Sequence, residues 1–344
     1  MKVYKYRGVF ERDLNSLELD QFWASTTNQL NDPCEGLLIS DNLEQQLHEF
    51  SLLIKQFSTA NVEESKNSLM KSIKNILSMK DNRLGIFSLS KVFDDELLWA
   101  HYANSHYGFC IEFNLNKLTS LYYENKYTVL DVIYTDHPPK LDFQKLLTIL
   151  EKDTSKQIQQ QMLGYKSKRW EYENEIRIIS DTAQIQNYDF RAVTAIYFGL
   201  RMAESEIQQV MRALQGRGIK YFQMQLKNNS FKLEAIPLPD AFPHSPKYKY
   251  SVAPIAKDAI APQYLKEEHK QYADYLYKAG EILRRDPYCL QLDDVNISDK
   301  KSENGEPTIY GSYASPYNKY KKQYLTLAEI DTLYSQIDDL ETSI

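Results

Sequence analysis

Short runs rich in valine, isoleucine, tyrosine and phenylalanine recur along the first two thirds of the chain, each flanked by turn-forming or charged residues. They predict strands at Val3 to Arg7, Gln21 to Ser25, Leu84 to Ser90, Gly108 to Phe113, Val129 to Tyr134, Glu175 to Ser180, Val193 to Gly199, Tyr221 to Leu226 and Lys232 to Leu238. Apolar residues at helical spacing predict helices over Asp41 to Phe57, Val62 to Met79, Leu141 to Leu163 and Glu204 to Leu214. Gly216 and Gly218 stop the last of these, because glycine tolerates the left-handed backbone of a helix end. Strands and helices interleave irregularly, which predicts an α+β fold: a mixed or antiparallel sheet core with inserted helices rather than regular βαβ winding. The chain carries neither a GxGxxG nor a GKS/GKT loop, so a Rossmann or P-loop site is not expected.

The texture changes near Leu238, where PLPDAFPHSPKY brings four prolines into a short polar stretch. Such a stretch favours extended backbone and marks a boundary. It divides an α+β core, residues 1–238, from a linker and mainly helical, tyrosine-rich C-terminal extension, residues 239–344. The extension has helical patterns at Pro262 to Arg285 and Thr326 to Glu341, a polar loop at Ser298 to Pro307 and a tyrosine-rich stretch from Tyr310 to Tyr324. Tyrosine buries a large ring and keeps a hydrogen-bonding tip, so this region suits packing on the core, on a partner protein or on stacked bases.

Charge narrows the picture. A formal net charge of −6 speaks against a strongly basic surface for nucleic acid, while leaving room for a local positive cleft. The polar start MKVYKYRGVF has no apolar signal-peptide core, and no stretch of ~18 apolar residues follows. A cytoplasmic protein without a membrane span is therefore expected. The three cysteines, Cys34, Cys110 and Cys289, lie far apart without CxxC spacing, as reduced, packed thiols do.

Four segments carry the chemistry. In Tyr4-Lys5-Tyr6-Arg7, strand alternation puts Lys5 and Arg7 on one face, where the Arg7 guanidinium can clamp a phosphate or carboxylate. The stretch Phe22 to Thr27 followed by Leu30-Asn31-Asp32-Pro33-Cys34-Glu35 reads as a strand and a well-built turn, presenting Ser25, Thr26, Asn31, Asp32 and Glu35. Leu98-Trp99-Ala100-His101-Tyr102, then His106, then Gly108 to Phe113 predicts a short helix after Asp94 and Asp95, a turn and a strand. Its rings would shape a pocket for a planar group. The spacing HxxxxHxxxC matches no zinc pattern, so no metal is predicted. Finally, Lys166, Lys168 and Arg169 precede Trp170-Glu171-Tyr172-Glu173-Asn174-Glu175-Ile176-Arg177. Read as a strand, this places Glu171, Glu173, Glu175 and Arg177 on one face, where crowding shifts carboxylate pKa values.

YKYR, NDPCE, LWAHYANSHYGFCIEF and KRWEYENEIRI, in that order, resemble the bacterial family called domain of unknown function 2971 over roughly residues 1 to 240. The order Arg7, Ser25-Thr26-Thr27, Glu173-x-Glu175 is also similar, at a second level, to ADP-ribosyltransferases. That similarity implies an NAD-using transferase or NAD glycohydrolase inside the cell, of the toxin or anti-phage defence kind, with a protein or nucleic-acid acceptor. Glu173, Glu175 and His101 are then the candidate catalytic residues. Arg7, Ser25, Thr26, Asn31, Asp32, Trp99, Tyr102, His106, Trp170 and Arg177 are the candidate nucleotide-binding residues. NAD would be substrate, and its cleavage builds positive charge on the ribose that a carboxylate can stabilise. Two alternatives stay open: a non-catalytic module recognising a nucleotide, nucleic acid or peptide, and a metal-dependent nuclease built on Asp32, Glu35 and the strand glutamates.

Overall fold

In a computed structural model, which describes residues 1–37, 71, 75, 78, 81–122, 126–140, 155–302 and 306–337, the amino-terminal alternation forms a strand, β1 (Lys2–Arg7). Val3 joins the main hydrophobic core, while Tyr4 and Tyr6 join an aromatic layer on the opposite face. α1 (Phe10–Glu18) and β2 (Gln21–Ala24) follow, then β3 (Gly85–Ser90), α2 (Glu96–Tyr102), β4 (Phe109–Asn114) and α3 (Leu115–Leu118). The next elements are β5 (Tyr127–Asp131), β6 (Ile133–Thr135), α4 (Ser155–Leu163), β7 (Tyr165–Ser167), β8 (Glu175–Ser180) and β9 (Gln184–Asn187). β10 (Val193–Phe198), α5 (Glu204–Ala213), β11 (Lys220–Leu226) and β12 (Leu233–Leu238) complete this unit, which spans Met1–Ser120 and Glu124–Ser245.

Eight strands form one sheet in the order β12-β11-β10-β4-β1-β3-β8-β5, antiparallel throughout except for the parallel pair β10 and β11. It is the mixed, mainly antiparallel α+β arrangement expected, and it does not close into a barrel. Phe22, Phe87, Phe109, Ile111, Phe113 and Ile196 fill the core on the Val3 face. Trp99, Cys110, Ala195 and Tyr197 pack on the Tyr4 face.

The two ladders of β1 differ. Toward β4 all six residues are paired, from Lys2 with Asn114 to Arg7 with Phe109. Toward β3, among the described residues, pairing occurs at one position, Tyr4 with Ser90. Past that point the Lys5 ammonium donates to the Ser88 carbonyl at 2.7 Å, taking an acceptor that a ladder bond would otherwise use. The sheet is thus split between β1 and β3 from Lys5 to Arg7.

Gly108 lies where β4 passes the end of β1. A methyl group there would sit 2.0 Å from the Arg7 carbonyl oxygen, so backbone would have to move. Gly108→Ala is expected to lower stability by about 2 kcal/mol or more, read as a reduced midpoint in urea unfolding, in line with overpacked sites elsewhere.

Some expectations are refined. The run Val129 to Tyr134 divides at Val132 into β5 in the large sheet and β6, which pairs with β7. The predicted helix Asp41 to Phe57 lies outside the described residues, as does Val62 to Met79 apart from the helical positions Lys71, Asn75 and Ser78. Of Leu141 to Leu163, the part from Ser155 to Leu163 is described and helical. The acidic segment departs from its strand reading. Lys168–Glu173 is a 3₁₀ helix, Asn174 takes a left-handed φ of 45°, and the strand begins at Glu175.

The second unit, Leu121–Tyr123 with Pro246–Ile344, contains the expected helices. The Pro262 to Arg285 pattern resolves into 3₁₀ turns at Pro262–Tyr264 and Glu267–Tyr272 followed by α6 (Ala273–Leu283). α7 (Leu327–Tyr334) starts in a capping box between Thr326 and Glu329, and residues 338–344 of its predicted range and beyond are not described. Beside these helices stands an antiparallel sheet of β13 (Gln291–Ile297), β14 (Thr308–Ala314) and β15 (Lys321–Thr326). Leu276, Ala279 and Leu283 of α6 pack with Leu292, Val295, Ile309 and Tyr313 of that sheet. The tyrosine-rich stretch thus contributes two strands. No described helix is long and apolar enough to cross a membrane.

Candidate functional site

The split between β1 and β3 opens into a cleft of about 900 Å³, walled by Tyr4 to Val9 on one side and Ile86 to Ser90 on the other. Residues from both sheet faces reach it. Cross-strand partners share a face, so Tyr4, Ser90 and Glu175 lie together, and Ser88 lies with Arg177. Lys5, Arg7 and Phe87 belong to the other face by alternation. The cleft therefore has a cationic end and an acidic end.

At the cationic end the Lys5 ammonium and the Arg7 guanidinium stand 5.1 and 5.8 Å from the centre of the same Phe87 ring. Asp13, buried on α1, is 3.7 Å from Arg7 but also takes two hydrogen bonds from Arg12 and one from the Val9 N–H. Two guanidinium groups thus share one carboxylate. The Arg7 Nε is buried and has no hydrogen-bond partner among the described residues. Burial and the neighbouring Arg7 charge lower the Lys5 pKa to about 7, against the pull of Glu175, Asp13 and Glu173.

At the acidic end a buried lattice joins Glu35, Glu173 and Glu175 to Lys166 and Arg177. Lys166 Nζ is 2.5 Å from Glu173, 3.2 Å from Glu175 and 3.5 Å from Glu35. Arg177 donates from Nε to Glu175 at 2.8 Å, from one terminal nitrogen to Glu35 at 2.7 Å and from the other to the Leu163 carbonyl at 2.6 Å. The Tyr102 hydroxyl donates to the remaining Glu173 oxygen at 2.6 Å. Burial raises the Glu173 pKa despite Lys166 and Tyr102. In Glu175 burial pushes the same way, yet the Arg177 and Lys166 charges prevail and hold its pKa at about 2. Burial raises the Tyr102 pKa, and Glu173 adds to the rise.

The lowered Glu175 pKa fixes a sign. Its ionised form is favoured in the folded state, so its contribution is complete above the ordinary carboxylate pKa near 4.5 and is lost as pH falls toward about 2. Urea unfolding of the native protein at pH 5 and pH 3 is expected to show a drop that Glu175→Gln, itself less stable at pH 5, shows to a smaller degree.

Of the sequence-derived candidates, Arg7, Ser25, Asn31, His101, Tyr102, Glu173 and Glu175 line this one cleft. His101 is exposed and its ring faces those of Tyr102 and Tyr172, centres 6.3 and 6.4 Å away. The other candidates lie elsewhere. Trp99 is fully enclosed, donates its ring N–H to the Phe93 carbonyl at 2.7 Å and stacks on His106, so it has no face to offer a nicotinamide. His106 supports that stack at a left-handed φ of 70°, its pKa lowered by burial and by Arg201. Arg177 is completely buried with its donors occupied, which makes it a structural cation rather than a nucleotide clamp. Asp32 turns its carboxylate onto the Cys34 N–H at 2.9 Å, as Asx turns do. The Thr26 N–H is held by Gln29 at 3.1 Å, capping the 3₁₀ turn Thr27–Gln29. Trp170 receives the Lys166 ammonium 5.0 Å from its ring centre. Glu171 is exposed, whereas Glu173 and Glu175 are buried.

Sequence reasoning did not place Lys5 in the site or pair Glu35 with Arg177. Alternation from Arg7 was the available signal for Lys5; the Glu35 pairing has no sequence signal, since 142 positions separate the partners. A second buried node was also missed. Glu112 accepts from Tyr4 at 3.3 Å, Tyr197 at 2.9 Å and Thr194 at 2.7 Å, and the bonds from Thr194, Lys2 and Tyr197 keep its pKa low against its burial.

A family model described as protein of unknown function (DUF2971) matches residues 98–178, a segment that includes His101, Tyr102, Glu173 and Glu175. The resemblance to that family thus holds over the stretch from α2 into β8. No curated protein and no solved structure matches the chain.

Proposed function

We propose that the cleft binds a nucleotide of the NAD type and that Glu173 faces its ribose, making the protein an NAD-using transferase or glycohydrolase. One observation carries this reading: Arg7 and Glu173, distant in sequence, line the same cleft with opposite charge. A pyrophosphate suits the Arg7 end, and a sugar hydroxyl suits the carboxylate end. Half-buried Tyr102 and exposed His101 flank Glu173 and offer rings to a planar base. Cleavage of a nicotinamide–ribose bond develops positive charge on the sugar, and a carboxylate held in a partly desolvated wall stabilises it. The freed ribosyl group then passes to water or to a protein or nucleic-acid acceptor, the kind of action the similarity to ADP-ribosyltransferases implies for a toxin or an anti-phage defence effector.

A second reading has its own support. Both Glu173 oxygens are already engaged, by Lys166 and Tyr102, which suits a non-catalytic module that recognises the nucleotide without cleaving it. The nuclease reading has less: Asp32 is committed to its own turn, and Glu35 is already paired with Arg177 and Lys166. Incubation of purified protein with NAD and cell lysate, with nicotinamide measured over time, separates the first two. Nicotinamide release supports the enzyme. Quenching of the exposed Trp23, which lines the cleft, without release supports the recognition module. Neither signal at millimolar NAD removes both.

A further inference from the structure

The charges of the cleft do not balance locally, and the imbalance points to the chemistry of what fills it. At the acidic end, three carboxylates meet two cations, all of them linked by short contacts. At the other end, Arg7 and Arg12 share Asp13 in ion pairs, and Lys5 makes no ion pair among the described residues. Arg12 takes most of Asp13, with two hydrogen bonds of 3.0 and 2.9 Å. That leaves Arg7 with a 3.7 Å contact and an unpartnered, buried Nε, and it leaves Lys5 with a neutral carbonyl as its partner. Holding two neighbouring cations in a partly buried wall with so little direct pairing is costly. The arrangement is the one expected where a dianion completes the set.

We propose that Lys5 and Arg7 together form a subsite for a phosphate or pyrophosphate group. This deepens the nucleotide reading and rests on it only for the remainder of the ligand. The Lys5 amine lies in the split itself, where an oxygen of the ligand can replace or join the Ser88 carbonyl as acceptor. The charged and titratable groups around it are Arg7 on its own strand, Asp13 on α1, Glu173 at the end of the 3₁₀ turn, Glu175 at the start of β8, and Cys110 on β4. Among these, burial and Arg7 dominate and bring the amine's titration to about 7. Lys5 is therefore charged below neutrality and loses its charge as pH rises through 7, so anion affinity falls in the same direction.

The test is calorimetric titration of the full chain with inorganic pyrophosphate at pH 6 and pH 8.5, using the native protein, Lys5→Arg and Lys5→Met. Native affinity is expected to drop roughly tenfold or more between the two pH values, the size of a lost charged hydrogen bond. Lys5→Arg, which stays charged, reports the part due to pyrophosphate's own titration and drops less. Lys5→Met binds weakly at both pH values. As a measurement needing no variant, pyrophosphate at pH 8.5 protects Lys5 from acetic anhydride, read by peptide mass. Equal affinity in native protein and Lys5→Met, or acetylation of Lys5 unaffected by saturating pyrophosphate, overturns the proposal. Pyrophosphate binding through Lys5 without any NAD binding leaves the subsite standing and sinks the NAD reading instead.

Discussion

Arg177→Met is expected to destabilise the protein by about 3 to 5 kcal/mol, the cost of stripping one partner from a buried ion pair. Arg177 is completely buried and satisfies Glu175, Glu35 and the Leu163 carbonyl at once. Removing it leaves three carboxylates, Glu35, Glu173 and Glu175, around Lys166, which can neutralise only one. Each remaining acid then gains protons, so the variant's unfolding midpoint should improve as pH is lowered from 7 toward 5, opposite in sign to the native dependence on Glu175. Adding Glu35→Gln to Arg177→Met should recover part of the loss, because one of the orphaned charges is gone. Urea unfolding of the three proteins measures all of this. A loss below about 1 kcal/mol for Arg177→Met, the range of exposed pairs, would mean that the lattice is solvated and does not hold the cleft wall.

Glu173→Gln is expected to reduce nicotinamide release on the order of 10²-fold or more, the scale on which one preorganised electrostatic group contributes to a transition state. The substitution keeps the shape of the side chain, and its amide oxygen can still accept from Tyr102 or Lys166. Because the raised Glu173 pKa reflects unfavourable burial of charge, the fold should withstand the change well. NAD affinity should fall little, since the pyrophosphate end is untouched. That pattern, kcat lost and KM kept, marks a group that acts in the transition state. A parallel loss of kcat and thermal stability would instead assign Glu173 to the structural lattice.

Much of the core is legible in the sequence because its strands obey short-range rules. The β-branched and aromatic runs at Val3 to Arg7, Gly108 to Phe113 and Val193 to Gly199 form strands β1, β4 and β10. Asp95 caps its helix through the Leu97 and Leu98 N–H groups, a signal contained in four consecutive residues. The segment Glu171 to Glu175 misleads because period two fits it in sequence. The left-handed Asn174 and the 3₁₀ turn before it reverse the geometry, burying Glu173 and leaving Glu171 in solvent. Trp99 misleads for a related reason: an aromatic ring near two histidines reads as a binding platform, whereas tertiary packing encloses it against Tyr6 and His106. The split between β1 and β3 leaves no trace in either strand. It depends on pairing register, which no single strand encodes.

The most direct measurement is a structure of the protein crystallised at pH 6 and soaked with NAD. The expected result is density in the split between β1 and β3, with pyrophosphate oxygens within hydrogen-bond distance of Arg7 and Lys5 and the nicotinamide ribose against Glu173. NAD bound elsewhere, or an empty split at a concentration that saturates binding in solution, would contradict it.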